Sequence, residues 1–435
     1  LTKENMKNDK DAEKNTISVY NGRMENEKER FADRSEMTGV NKTKKRTEYT
    51  AEDAAGIGGR RLENLPEPLL IWFGEHARVL PWRERPLPYY VWVSEIMLQQ
   101  TRVEAVKPFF ARFTQALPDV ASLAVCQEER LLKLWEGLGY YNRVRNMQKA
   151  AQLVMENYGG ELPASYSALL GLPGIGSYTA GAIASIAYGK KVPAVDGNVL
   201  RVISRITGDA QDVMKQSVKR QYEDRLREIM PEEAPGVFNQ ALMELGATVC
   251  LPNGAPECER CPVKDRCYAK AHDCQMELPV KAPKKARRVE KRTVLVIRDS
   301  ERALIRKRPS KGLLAGLYEL PNLEGWLKQR EALDYARDCG FRPIRIMPLP
   351  DAKHIFSHVE WQMTGYMVQV EDAEDFSGSI FIEPARTERE YPIPAAFSAY
   401  AKYLSIRLGQ EKYEKGSEME IIESVLFEKK IAEEE

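Results

Sequence analysis

The chain has 435 residues, with 65 Lys and Arg against 64 Asp and Glu and a formal net charge of +1. That near-balance excludes capture of a polyanion by overall charge, so any nucleic-acid contact has to come from local clusters. No apolar run reaches the length that spans a bilayer, and the opening LTKENMKNDK lacks the apolar core of a secretion signal; the expectation is a soluble, cytoplasmic monomer with two domains and tails.

Residues 1–60 are rich in Lys, Glu, Asn and Asp without helical or strand period, which reads as a disordered extension. Residues 61–274 read as one helical domain, with runs such as VWVSEIMLQQTRVEAVKPFFARF and YTAGAIASIAYG separated by Pro and Gly breaks. Within it, SEIMLQQT (94–101) places Glu95 on an apolar helix side. Its neighbours one turn away, Val91, Trp92, Leu98 and Gln99, include no Lys or Arg. A carboxyl in such surroundings has its pKa raised and can hold a proton near neutrality, as a general acid must.

LPGIGSYTAGAIA (172–184) puts Gly174 and Gly176 in a turn between two helices. The backbone N–H groups at the second helix start suit a phosphate, although the pattern equally fits an ordinary helix–helix turn. In AVDGNVLRVISRI (194–206), Asp196 takes the N-cap position of a helix that aligns Val199, Val202, Ile203 and Ile206 on one face. The helix dipole and N–H groups there are expected to keep its carboxylate ionised. One carboxyl pushed up and one held down is the pair that cleavage of a glycosidic bond requires, but sequence alone does not bring Glu95 and Asp196 together.

Of seven cysteines, Cys250, Cys258, Cys261 and Cys267 are separated by seven, two and five residues. Such crowding points to a bound metal, zinc or a [4Fe-4S] cluster, between which spacing does not decide. Cys126, Cys274 and Cys339 read as ordinary residues. Residues 275–292, ending in KAPKKARRVEKR with seven Lys or Arg against one Glu, read as a basic linker suited to lie beside DNA. TVLVIRD (293–299), ALIRKRP (303–309) and EWQMTGYMVQVED (360–372) read as strands of an α+β domain over residues 293–409. A charged tail over 410–435 carries a short apolar stripe of Ile421, Ile422, Val425, Leu426 and Ile431.

Taken together, SEIMLQQT, GLGYYNRVRN (137–146), LPGIGSYTAG, VDGNV and the four cysteines resemble the helix-hairpin-helix DNA glycosylases, and within them the MutY family of adenine glycosylases. The resemblance runs almost continuously over residues 65–272 and resumes at HIFSHVEW (354–361), in a domain that resembles the Nudix fold. It implies excision of adenine mispaired with 8-oxoguanine in duplex DNA, on nucleoid DNA in a bacterial-type cytoplasm, from a base flipped out of the stack. By position, Glu95 matches the acid that protonates adenine, and Asp196 the carboxylate that stabilises or captures the sugar cation. Tyr178 and Asn198 match groups lining that site. Trp82 and Arg83 match adenine-pocket positions, and Gln100 and Tyr140 match residues that wedge beside the oxidised guanine. Phe356, Ser357 and His358 match its reader, and the four cysteines match a [4Fe-4S] site.

The related endonuclease III enzymes carry a Lys at the position of Tyr178 and cut the strand through a Schiff base; a Tyr cannot, so the resemblance implies a monofunctional enzyme. Two departures stand out. The first cysteine spacing, LPNGAPE, is one residue longer than the six usual in the family and lacks Lys or Arg. The Glu-rich metal pattern of an active Nudix box is absent from REALDYARDCGF (330–341), so phosphohydrolase activity is not expected. In the tail, ESVLF (423–427) faintly resembles a sliding-clamp motif with Glu423 where Gln is usual. Competing readings are a noncatalytic damage sensor on the same scaffold and a bifunctional glycosylase and lyase for oxidised pyrimidines.

Overall fold

Apolar helical faces and two alternating strand runs dictate a helical unit and a sheet unit. The computed structural model describes residues 62–283, 286–299, 301–371, 378–404, 406 and 408. The expected extension over 1–60 and the tail from 410, with its apolar stripe and ESVLF, lie outside the described residues.

One compact unit takes in the described residues up to Gln99 together with Ala150–Pro283. Its helices include Pro66–His76, Pro81–Glu84, Pro88–Leu98, Ser177–Ala182, Gly197–Thr207 and Pro235–Thr248. Four of these open on Pro at the first turn, where the missing N–H has no helical partner to lose. The Gly197–Thr207 helix is capped at its start by Asp196, whose side chain accepts from the Val199 N–H, and ends at Gly208 in the left-handed region, φ 75°. Val199, Val202, Ile203 and Ile206 are all buried as the period requires. They join Leu69, Phe238 and Leu245 in one core, each such side chain contributing about 1.5–3 kcal/mol.

Two glycines set how closely backbone segments approach around this core. A Cβ on Gly181 would lie 2.2 Å from the Pro193 carbonyl oxygen, so only glycine lets the Ser177–Ala182 helix press against the segment leading into Asp196. A Cβ on Gly246 would lie 2.6 Å from that of Asn198, which brings the Pro235–Thr248 helix against the start of the Asp196-capped helix.

The second unit joins the helical segment Gln100–Lys149 to the chain from Lys284 onward, so the compact units cut across the segments read from sequence. Among the described residues its sheet has seven strands: β1 (Arg288–Arg298), β2 (Ala303–Lys307), β3 (Tyr318–Glu319), β4 (Asn322–Glu324), β5 (Pro343–Ile355), β6 (Val359–Val370) and β7 (Ser379–Ile382). The main order is β3-β2-β1-β6-β5, with β4 paired to β1 and β7 to β2. β1 and β6 run parallel from Arg288 opposite Val359 to Arg298 opposite Gln369, and the other pairs are antiparallel.

That ladder corrects the linker boundary. Arg288–Arg292, read as part of a basic linker, is the first half of β1, because its backbone pairs with Val359–Met363. The charges that hid it sit on the exposed side or engage neighbours: Glu290 takes hydrogen bonds from Arg288, Arg292 and the Trp361 indole. Within this unit Glu136 of the helical segment accepts from the Ile393 N–H, in the loop after the Pro384–Glu390 helix, at 2.8 Å and from Lys133 of its own segment at 2.7 Å. Lys307 adds a 2.7 Å pair with Glu129. No helix among the described residues is long and apolar enough to cross a membrane.

Candidate active site

Glu95 lies in the last turn of the Pro88–Leu98 helix and is 6% exposed. Its own helix offers no Lys or Arg one turn away, but a partner comes from another helix: the Tyr178 hydroxyl donates to Glu95 Oε2. Burial, helped by the negative charge of Asp196 and opposed by the Tyr178 hydrogen bond and by Arg83, raises the Glu95 carboxyl to about 7. Burial and the two neighbouring carboxyls push the Tyr178 hydroxyl well above its ordinary value, so it stays a donor.

Asp196 accepts from the Val199 N–H at 2.8 Å and from Asn198 Nδ2 at 2.7 Å. Its pKa is nevertheless raised, contrary to the expectation that the helix start holds it down: burial outweighs those hydrogen bonds and the attraction of Arg201. The ordering of the pair survives. Asp196 has two donors to its carboxylate where Glu95 has one, which favours the proton on Glu95.

Asn198 is fixed in turn by Arg201, which donates to its Oδ1 at 2.9 Å, to the Gly246 carbonyl at 2.8 Å and to the Cys250 carbonyl at 2.8 Å. Asn239, fully buried, accepts from the Ala194 N–H at 3.0 Å and donates to the Val192 carbonyl at 2.9 Å, which fixes the segment entering Asp196. Trp82 is buried. Arg83 donates to Glu244 Oε2 at 2.8 Å and lies 5.2 Å over the Phe73 ring. Gly174, φ 78°, and Gly176 form the turn before the Ser177–Ala182 helix that carries Tyr178.

Sequence reasoning missed Glu244, Arg78, Asn239 and Arg201. Glu244 is 1% exposed and receives Arg78 Nε at 2.6 Å and Arg78 Nη2 at 3.0 Å besides Arg83. Burial pushes its pKa up, but those guanidinium contacts outweigh burial and leave it below its ordinary value. Its signal was weak, since its partners lie 161 and 166 residues away.

In the second unit, Gln100 and Tyr140 both adopt left-handed backbone, φ 64° and 47°, which costs a non-glycine residue about 1–2 kcal/mol. Tyr140 is 54% exposed. Its turn is held by Arg143, which donates to the Leu138 and Gly139 carbonyls and lies 5.4 Å over the Tyr140 ring. Phe356, Ser357 and His358 form the loop between β5 and β6. Phe356 is half-buried, edge-on to Trp361, whereas Ser357 and His358 are exposed. The Tyr140 hydroxyl and Ser357 Oγ are 3.2 Å apart, within hydrogen-bond distance.

Cys250, Cys258, Cys261 and Cys267 line one cavity together with Arg205 and Lys270. The thiols surround it rather than converge: among the described residues no three His, Cys, Asp or Glu side chains are placed to hold a single ion. Burial pushes the Cys261 thiol up to about 12 and the Cys267 thiol up to about 11. Arg205 Nη1 lies 3.3 Å from Cys250 Sγ.

Comparison with known proteins covers both units. Residues 93–228 match the HhH-GPD superfamily of base excision DNA repair proteins, and residues 293–403 match the NUDIX domain. The chain is 35% identical to the adenine DNA glycosylase of Mus musculus over 70% of this chain and 70% of that protein. It is 33% identical to the Homo sapiens adenine DNA glycosylase, covering 79% and 74% of the two chains. Against that of Buchnera aphidicola subsp. Acyrthosiphon pisum identity is 33%, over 60% and 77%.

Proposed function

The chain belongs to the adenine DNA glycosylase family of base excision repair enzymes, and from that premise we propose that it removes adenine paired with 8-oxoguanine without cutting the strand. The observation that carries this reading is the buried Glu95 carboxyl, hydrogen-bonded by Tyr178, with a pKa of about 7. A group with that value is half-protonated at neutral pH and can give its proton to the departing base.

In the proposed reaction a flipped adenine enters between the Glu95 and Arg83 elements, and Glu95 protonates N7 while Tyr178 fixes the carboxyl orientation. The C1′–N9 bond then breaks with both electrons leaving on the purine. The sugar is left as an oxocarbenium ion, which the Asp196 carboxylate stabilises or captures before water adds at C1′ and gives its extra proton to the Glu95 carboxylate, restoring the acid. Products are adenine and an abasic site. Asn198 and the Val199 N–H keep Asp196 oriented throughout. Tyr178 offers no amine for a Schiff base, so the phosphodiester chain stays intact.

Opposite the flipped base, the Tyr140–Ser357 contact supports reading of 8-oxoguanine by one composite tip: Tyr140 and Gln100 wedge beside it, while Ser357 and His358 meet the N7–H and O8 that guanine lacks. Phe356 backs this tip through Trp361. The Gly174–Gly176 turn offers backbone N–H groups to a phosphate.

A [4Fe-4S] cluster fits the four cysteines. The four thiols line one cavity, and the Arg205 guanidinium at 3.3 Å from Cys250 Sγ places a positive charge beside them that suits thiolate ligands of a net negative cluster. Bound there, the cluster would supply a structural tie between the cysteine loop and the Gly197–Thr207 helix.

The test is adenine release from duplexes with A opposite 8-oxoguanine, G or T, followed by alkali. The reading expects release with 8-oxoguanine favoured, strand breaks only after alkali, and no adduct trapped by borohydride. Tight binding without release would establish a damage sensor instead, and a trapped adduct a lyase.

A further inference from the structure

The short helix Pro81–Glu84 that carries Arg83 packs against the helix of Glu95, and the Arg83 charge draws the Glu95 carboxyl toward its ionised form, yet the acid needs its proton. A guanidinium free to swing toward a buried carboxyl would form an ion pair with it and leave no acid. The structure contains a competing anion. Glu244, on the Pro235–Thr248 helix, is 1% exposed and receives three hydrogen bonds from Arg78 and one from Arg83: the Arg78 backbone N–H at 3.1 Å, Nε at 2.6 Å and Nη2 at 3.0 Å, and Arg83 Nη2 at 2.8 Å. The second terminal nitrogen of Arg83, Nη1, donates to the Arg78 carbonyl at 3.0 Å. Arg83 is thus fastened at both ends of its fork.

Resting on the assignment of Glu95 as the acid, we propose that Glu244 is a positioning residue that holds the Arg83 guanidinium away from Glu95, so that the acid keeps its proton until adenine arrives. The other groups facing Glu95 do not perform this task. Tyr178 and Asp196 face it from their own segments, and the turn Ile183–Ala187, which packs on the same helix, has no titratable side chain. Glu244 acts through Arg83 alone and touches neither Glu95 nor, on this account, the base.

The sign of the effect separates positioning from mere structural support. The rate of adenine release falls as pH rises through the pKa of the acid. Removing the Glu244 charge lets Arg83 turn to Glu95 and favours the ionised carboxylate, so the inflection moves to lower pH. A structural defect lowers the rate at every pH alike.

The experiment is single-turnover adenine release by the full chain, from about pH 5.5 to about pH 8.5, for wild type, Glu244→Gln, Glu244→Asp, Arg83→Gln and the double variant. We expect Glu244→Gln to lose activity about tenfold or more at the alkaline end while staying within about threefold of wild type at the acid end, an inflection lowered by about one unit. Glu244→Asp restores the wild-type inflection. Arg83→Gln moves it upward, and the double variant follows Arg83→Gln because no guanidinium remains to be restrained. Uniform loss across pH in Glu244→Gln, or an unmoved inflection in Arg83→Gln, overturns the proposal; the second variant decides if the first does not fold. A wild-type profile with no inflection near neutrality would instead remove the Glu95 assignment beneath it.

Discussion

Replacing Glu95 by Gln should stabilise the protein, and should do so more at alkaline than at acid pH. The folded state holds the Glu95 proton up to about pH 7, whereas the ordinary carboxyl releases it near 4.5. Between these values the unfolded chain binds fewer protons than the native one, so wild-type stability falls as pH rises through the window and levels off above it. A shift of this size at about 1.4 kcal/mol per unit gives at most about 3.5 kcal/mol lost by pH 8. Gln keeps the shape and still accepts from the Tyr178 hydroxyl, but has no proton to lose. Urea unfolding of both proteins at about pH 5 and about pH 8 therefore should show a stabilisation by Glu95→Gln that grows with pH. An equal difference at both values would refute the raised pKa.

Three further outcomes follow from the geometry. Gly181→Ala puts a methyl 2.2 Å from the Pro193 oxygen, so it should cost about 1–3 kcal/mol in melting experiments and also slow adenine release by displacing the approach to Asp196; wild-type behaviour would contradict the close packing. Cys261→Ser should yield protein with less iron and weaker visible absorption, measured by colorimetric iron assay, and full iron content would exclude this cysteine as a ligand. Ser357→Ala removes the Tyr140 partner and the proposed lesion contact, and should reduce the preference for A opposite 8-oxoguanine over A opposite G by up to about tenfold, the worth of one lost hydrogen bond. An unchanged ratio would place lesion reading elsewhere.

The candidate site residues were legible where they sit in local patterns. Asp196 announced itself as an N-cap, and Glu95 as a carboxyl on an apolar helical face. The helix of Val199, Val202, Ile203 and Ile206 buries the face that its period marks. What joins distant segments was not legible. Glu244 looks like any polar position of an apolar helix until Arg78 and Arg83 arrive from far along the chain. Arg288–Arg292 looks like a linker because the strand that pairs with it comes more than a domain element later. The raised pKa of Asp196 depends on how deeply neighbouring segments bury it, a quantity no N-cap pattern contains. Glycines 181 and 246 belong to the same class: their residue type is visible, and the backbone that would collide with a side chain is not.

The central claim is that the Glu95 proton breaks the glycosidic bond. Its most direct test is single-turnover incubation of Glu95→Gln with a duplex holding adenine opposite 8-oxoguanine, measuring binding and adenine release on the same samples. The account predicts wild-type-like binding with release reduced by at least about a hundredfold, the worth of a general acid. Release at the wild-type rate would contradict it.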